Sequence, residues 1–339
     1  MIQKLPFIAF LILAFAGPLM AQQYPYKAAF YNVENLFDIE DHPEKKDEDF
    51  TPEGRQKWDK ERYETKLDRI AEVFENLEFP ELIGLCEVEN EEVCIDLILQ
   101  SRLKDQGYSV AHLESPDVRG IDNALLYKKD LFQVKNVEGI RIDYPEGYLE
   151  EEDYTTRDVL IVKGTFKKKY DLTILVNHWP SRRGGLSASE PKRTFVAEHV
   201  GQYLDNLYAE NPNQRVIVMG DFNDEPANKS IQVVLRASMD DIPDEGERLI
   251  NLMGPLDEAE KGSYNYRGNW NMLDQIMISP FLTEKKSKFQ FGPAEIFMGE
   301  FLIYEHDRFG KMPNRTYGGP NYYGGYSDHF AVYVPFKAK

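Results

Sequence analysis

The sequence predicts an α/β fold. Short apolar, β-branched runs recur along the chain, helical stretches separate several of them, and run after run ends in a polar residue. Composition agrees. With 42% hydrophobic and 29% charged residues, the chain falls outside the disordered, collagen-like and coiled-coil classes. Its 339 residues allow one large domain or two small ones, and strands and helices alternating without a break in composition favour one.

The chain opens on Lys4, an almost wholly apolar run from Leu5 to Ala16, the breakers Gly17 and Pro18, and a small residue at Ala21. That order is the pattern of a secretory leader. The run falls short of the roughly 20 apolar residues of a membrane-spanning helix. Residues 1–21 are therefore expected to be a signal peptide, cleaved after Ala21. The destination is then secreted or periplasmic, with no stable membrane association afterwards. Residues 22–339 are expected to form a single catalytic domain.

Strands are expected at Ala28–Val33, Leu82–Glu87, Ala124–Tyr127, Val159–Lys163, Leu172–Asn177, Arg215–Gly220, Gln275–Ile278 and Ala331–Val334, each apolar or β-branched. Between Asp59 and Leu77, helical spacing joins Tyr63, Leu67, Ile70, Val73, Phe74 and Leu77, with charges between them. Glu91–Leu103 and Lys192–Leu207 read the same way. Asp38–Glu53 is acidic and reads as a solvated loop, and the Gly- and Tyr-rich stretch Gly318–Gly325 as a surface loop before the last strand. No internal repeat is visible.

Cys86 and Cys94 are the only cysteines, too few for a disulfide scaffold. Cys86 continues an apolar run and reads as a buried thiol, a bridge to Cys94 being the lesser reading. The net charge of −18 repels nucleic acid and anionic lipid at long range. It weighs against tight, non-specific DNA binding, but not against a cleft made positive by metal ions.

The polar residues at strand ends carry the chemistry. They are Asn32 and Glu34, Glu87, His178, Asp221 and Asn223, Asp274, and Asp328 with His329. Layered α/β proteins assemble their sites at strand ends. Glu87, Asp328 and Asn32 form a hard, oxygen-rich set suited to Mg²⁺, Mn²⁺ or Ca²⁺. His178, His329, Asp221 and Asp274 supply proton transfer and orientation. Hydrolysis of a phosphate ester needs both kinds of group. Singly, Glu87 or Asp221 would read as a helix cap or a solvated terminus, and His178 as a packed histidine.

Six segments in order resemble the endonuclease/exonuclease/phosphatase superfamily. They are Tyr31–Phe37, Ile83–Asn90, Asn177–Arg182, Gly220–Asp224, Leu273–Ile276 and Ser327–His329. Gly-Asp-Phe-Asn and the terminal Ser-Asp-His are the most specific parts. The resemblance implies a four-layer sandwich, two mixed β-sheets face to face with helices outside. It implies Glu87 as principal metal ligand beside Asn32 and Asp328, with Glu34 as an auxiliary acid. Asp221 would align or deprotonate water, and Asn223 would donate to the phosphate. His329 would contact the phosphate and be oriented by Asp274, while His178 would assist the leaving group or the phosphate. Many members carry Gln where this chain has Cys86.

Arg157 matches a phosphate-contacting arginine of deoxyribonuclease-like members, its alternative being a strand-edge surface residue. Arg182 and Arg183 follow His178 closely and are candidates for a phosphate clamp, or for a solvated basic loop. Asp122, or a neighbour, is a candidate partner for His178. Trp179, Tyr264, Tyr266, Trp270, Tyr317, Tyr322 and Tyr323 crowd the nearby loops, as stacking platforms or as loop anchors.

The reading favoured is a secreted, divalent-metal-dependent phosphoesterase, foremost a nuclease and a monomer, with Mg²⁺ as the expected ion. Its partner would be nucleic acid or another phosphate ester. The alternative is a phosphatase or phosphodiesterase acting on a small or lipid phosphate, such as an inositol phosphate or sphingomyelin. A non-catalytic binding protein ranks last.

Overall fold

The computed structural model describes residues 23–149, 154–240 and 244–339. The expected leader, residues 1–21, lies outside the described residues. In chain order the first strands are β1 (Tyr26–Leu36), β2 (Leu82–Val88), β3 (Tyr108–His112), β4 (Asp122–Lys128), β5 (Phe132–Ile140), β6 (Val159–Phe166) and β7 (Tyr170–His178). Then come β8 (Val216–Asp221), β9 (Ala237–Ser238), β10 (Leu249–Asn251), β11 (Tyr264–Tyr266), β12 (Asn269–Asn271) and β13 (Asp274–Ile278). The last are β14 (Phe289–Phe291), β15 (Glu295–Ile296), β16 (Ile303–His306), β17 (Gly310–Pro313), β18 (Tyr317–Gly318), β19 (Asn321–Tyr322) and β20 (Val332–Ala338). Three longer helices are α1 (Lys60–Asn76), α2 (Glu91–Gln100) and α3 (Leu186–Glu210).

Two seven-stranded sheets form. Sheet I has the order β14-β20-β1-β2-β4-β3, with β15 also on β20, and sheet II has the order β5-β6-β7-β8-β13-β10-β9. Each is mixed: β1 lies parallel to β2, and β7 to β8, among antiparallel neighbours. The two-residue alternation of a strand sorts the side chains. From sheet I, Phe30, Leu82, Cys86 and Leu125 pack against Val162, Ile174, Met219 and Ile276 of sheet II. On the other face of sheet I, Tyr31, Ile83 and Leu85 meet Ile70 and Phe74 of α1 and Leu97 of α2. On the other face of sheet II, Leu175 and Val218 meet Val196, Val200 and Leu204 of α3. The expected helix–sheet–sheet–helix sandwich is what forms.

The helices start where local chemistry allows. Asp59 caps α1 by accepting from the Arg62 amide at 3.0 Å, and Asn90 caps α2 by accepting from the Val93 amide at 2.9 Å. α3 begins at Leu186, ahead of the expected Lys192, and carries Pro191 inside it. Strand β5 escaped the sequence reading because it is an edge strand, largely exposed and rich in polar residues. Cys86 and Cys94 are buried free thiols. Cys86 faces the inter-sheet core, where burial pushes its pKa well up. Among the described residues no helix is long and apolar enough to cross a membrane.

Candidate active site

Register builds the site. In sheet II, His178 at the end of β7 and Asp274 at the start of β13 both pair with Asp221 at the end of β8. In sheet I, Asn32 lies opposite Cys86, and the pairing breaks at Glu87, which turns into the left-handed region at φ 62°. A bulge of this kind re-aims a side chain at a sheet end. Asn32 joins the sheets by donating from Nδ2 to Asp221 Oδ2 at 3.0 Å. The edge opens into a cleft of about 570 Å³ lined by Asn32, Glu87, His178, Asp221, Asn223, Asp328 and His329.

His329 and Asp274 form a buried pair, Nδ1 to Oδ2 at 2.6 Å. Ser263 completes it, its hydroxyl donating to the same Asp274 oxygen. Burial opposes a charge on His329, but the carboxylates of Asp274 and Asp221 prevail and raise its pKa to about 10. His329 is thus an imidazolium at neutral pH. Its Nε2 lies 3.8 Å from Asp221 Oδ2. Asp221 is pushed up to about 7, by burial first, against the pull of His329 and with Asp274 adding to the rise. Its other oxygen accepts from the Asn223 amide at 2.9 Å.

His178 is the opposite case. Burial, with Arg157 next, drives its pKa well down, so the ring is neutral. Its Nε2 stands 3.7 Å from Asp221 and 3.9 Å from Glu87, and its Nδ1 is buried with no hydrogen-bond partner among the described residues. The expected help from Asp122 is not there. Asp122 sits at the start of β4 opposite Val88, accepts from the Ser115 amide at 3.0 Å, and lies 3.3 Å from His112. Asp122 therefore serves the neighbouring loop and strand β3.

Glu34 also departs from expectation. Both its oxygens accept from backbone, from Thr316 at 2.6 Å and Tyr317 at 3.2 Å, so its carboxylate is spent on that loop and does not line the cleft. Burial and the nearby Asp328 raise its pKa to about 7. Asp328 stays at the cleft, held by Arg315 at 2.7 Å. Asn32 Oδ1 accepts from the Glu34 amide at 3.0 Å. Glu87 accepts from the Asn35 amide at 3.0 Å and lines the cleft, its other oxygen 3.4 Å from Asn32 Nδ2 and 3.9 Å from His178 Nε2.

The arginines are mostly committed. Arg157 is buried, not a strand-edge surface residue, and lines the cleft while donating to Asp117 at 3.1 Å and to the Trp179 carbonyl at 2.7 Å. Arg182 donates to the Asn223 carbonyl at 2.7 Å and to Asn228 at 3.0 Å, which makes it a brace for the Asn223 turn. Arg183 is exposed at the cleft mouth beside Arg119. Asn223, at φ 49°, donates from Nδ2 to the Trp179 carbonyl at 3.1 Å. Trp179 and Tyr317 are buried, and Trp270 stacks on Phe330, so these three anchor loops.

Two groups escaped the sequence reading. Arg315 bridges Asp328 and Glu34, at 2.7 and 3.5 Å, from a loop with no local signature. Lys66 is buried, donating to Thr316 Oγ1 at 2.6 Å and the Tyr326 carbonyl at 2.7 Å. Burial lowers its pKa to about 8 while Glu34, Asp328 and Glu87 pull it back up. Its signal was available, since it sits among the apolar positions Tyr63, Leu67 and Ile70 of α1.

The donor set fits a hard divalent cation. Glu87 and Asp328 present carboxylates to one cleft, with the Asn32 amide beside them. Asp221, Asp274 and His329 also bring ligand atoms within 4.8 Å of one another, but His329 could ligate an ion there only after losing its proton. Facing sheets with acids and imidazoles gathered at one strand-end edge define a phosphoester hydrolase. The chain belongs to the Endonuclease/Exonuclease/phosphatase family, whose sequence model matches residues 27–338. Enzymes of this family use divalent cations. No curated protein matches the sequence.

Solved structures share the fold. The mannosyl-6-phosphatase of Bacteroides thetaiotaomicron is 16% identical, with a TM-score of 0.55, covering 92% of this chain and 99% of that one. The human Nocturnin catalytic domain with bound sulfate is 19% identical, with a TM-score of 0.54, over 93% of this chain and 94% of that one. Truncated TDP2 of Caenorhabditis elegans is 16% identical, with a TM-score of 0.53, over 93% of this chain and 99% of that one.

Proposed function

We propose that the protein is a secreted, Mg²⁺-dependent nuclease that hydrolyses phosphodiester bonds by attack of water. One observation carries this reading: a charged His329, seated by Asp274, lies 3.8 Å from Asp221, whose pKa stands at about 7, in the cleft that Glu87 also lines. A general base works best with a pKa near the operating pH, which suits Asp221 to take a proton from water. His329 as imidazolium offers Nε2–H to a non-bridging phosphate oxygen, where negative charge grows in the transition state. Neutral His178 donates to the phosphate or the leaving group. Glu87, Asn32 and Asp328 would hold the cation, which supplies charge neutralisation and polarisation of the phosphate when bound. The apolar run Leu5–Ala16 supports secretion.

A second reading, a phosphatase acting on a small phosphate, is favoured by four arginines at the cleft: Arg119, Arg157, Arg182 and Arg183. Asp117 is shared between Arg119 and Arg157 and offsets one of their two charges, and Glu225 pairs with Arg182, which weakens that reading. The test is metal-supplemented hydrolysis by residues 22–339 beside Asp221→Asn. Substrates are plasmid DNA, RNA, bis- and mono-(p-nitrophenyl) phosphate, inositol phosphates and sphingomyelin. Metal-dependent cleavage of nucleic acid, reduced about 10²–10⁴-fold in the variant, is expected. Cleavage of only small phosphates would move the protein to the second reading.

A further inference from the structure

Beside the catalytic cleft lies a second cavity of about 740 Å³ that shares Tyr264 and Tyr266 with it. Tyr264 joins the two. Its ring lies 4.7 Å from that of His329, and its backbone bridges to His329. The far wall is the β16–β17 hairpin with the turn around Tyr323. Arg315 lines it while holding Asp328 on the cleft side.

Its lining has three unusual properties. First, it is aromatic and wet. Tyr266, Tyr304 and Tyr323 are 52%, 54% and 61% exposed, and together they are three of the four exposed large aromatic residues among the described residues. Second, the cavity floor is apolar, with Phe309, Met312 and Pro313. Third, no acidic residue among the described residues lines it, although the chain carries a net charge of −18, and Arg267 and Arg315 do. Aromatic faces on a cationic, acid-free wall one ring away from the phosphate site match one ligand chemistry, a planar base attached to a phosphate chain.

We infer that this cavity is a base-stacking subsite. It takes an unpaired nucleobase of a nucleic-acid strand whose neighbouring phosphate sits against His329. The inference rests on the nuclease reading above and adds its substrate class: single strands, because a paired base in a duplex has no free face to offer. Tyr304 and Tyr323 supply the platform, and Arg267 meets the backbone.

The test uses two short strands of equal length, one with bases and one built wholly of abasic tetrahydrofuran units. Specificity constants are measured with Mg²⁺, and affinities by fluorescence anisotropy on Asp221→Asn, which separates binding from turnover. The base-bearing strand is expected to be favoured roughly 5- to 150-fold, the range of one stacked base. Tyr304→Ala and Tyr323→Ala, at exposed positions that leave the core intact, are expected to collapse that ratio toward one. A ratio near one in the unsubstituted protein, or a ratio unmoved by both variants, would overturn the subsite. So would competition by mannose 6-phosphate but not by a nucleoside monophosphate. A base-dependent affinity without hydrolysis of either strand would sink the nuclease reading and leave the subsite standing.

Discussion

Arg315 shows how a single side chain outside every motif sets the state of the site. It pairs with Asp328 at the cleft and with Glu34 behind it, while Lys66 lies below with its ammonium donating to Thr316 and the Tyr326 carbonyl. Two cations thus balance two acids, and Glu34, though acidic and adjacent to Asn32, is tied to the loop that carries Arg315. Partners that orient a metal ligand matter nearly as much as the ligand itself. Arg315→Ala is therefore expected to raise the Mg²⁺ concentration for half-maximal activity about 10- to 100-fold, read from a metal titration of hydrolysis. An unchanged titration would mean that Asp328 needs no such support.

At the level of elements, the site is a consequence of strands that stop in step. Gly220 makes the step possible. A Cβ there would come within 2.4 Å of the Asn177 carbonyl oxygen and 2.6 Å of the Asn177 Cβ on the adjacent strand. The neighbour is largely backbone in the middle of a sheet and cannot swing aside. The glycine thus lets β7 and β8 close, which sets His178 beside Asp221. Gly220→Ala is expected to destabilise the fold by about 1–3 kcal/mol, measured by urea unfolding, and to lower activity as well. Stability and turnover both unchanged would show that the strands tolerate the extra methyl. The motif Gly-Asp-Phe-Asn thus contains two residues for packing, Gly220 and Phe222, and two for the cleft, Asp221 and Asn223.

Across the whole molecule, the buried His329–Asp274 pair ties stability to pH. The folded pKa of His329, about 10, lies above its ordinary value of 6.5. A raised imidazole contributes stability that is fully present below about pH 6.5 and is lost as pH climbs through about 10. Asp274→Asn removes the main partner. The Tm gap between the metal-free protein and this variant is expected to be widest near pH 6 and to close toward pH 10. A gap constant over that range would mean that His329 is not held as the imidazolium. The net charge of −18 adds a second whole-molecule effect, since the cavity beside His329 is free of acids and stands apart from that background.

The sequence by itself determined the layered fold and the strand-end positions of Asn32, Glu87, His178, Asp221, Asp274 and His329. Apolar period and the polar residue ending each run are local patterns, set by which faces must be buried. Only the tertiary structure decided what each of those residues touches. Glu34 went to the backbone of Thr316 and Tyr317, Arg157 to Asp117, and Asp122 to Ser115, with His112 3.3 Å away. Arg315 came to Asp328 from a loop without signature. The physical reason is that a buried charge or amide takes whatever partner packing brings within about 3 Å, and no local periodicity marks that partner, whether it lies 7 residues away, as Ser115 from Asp122, or 282, as Thr316 from Glu34.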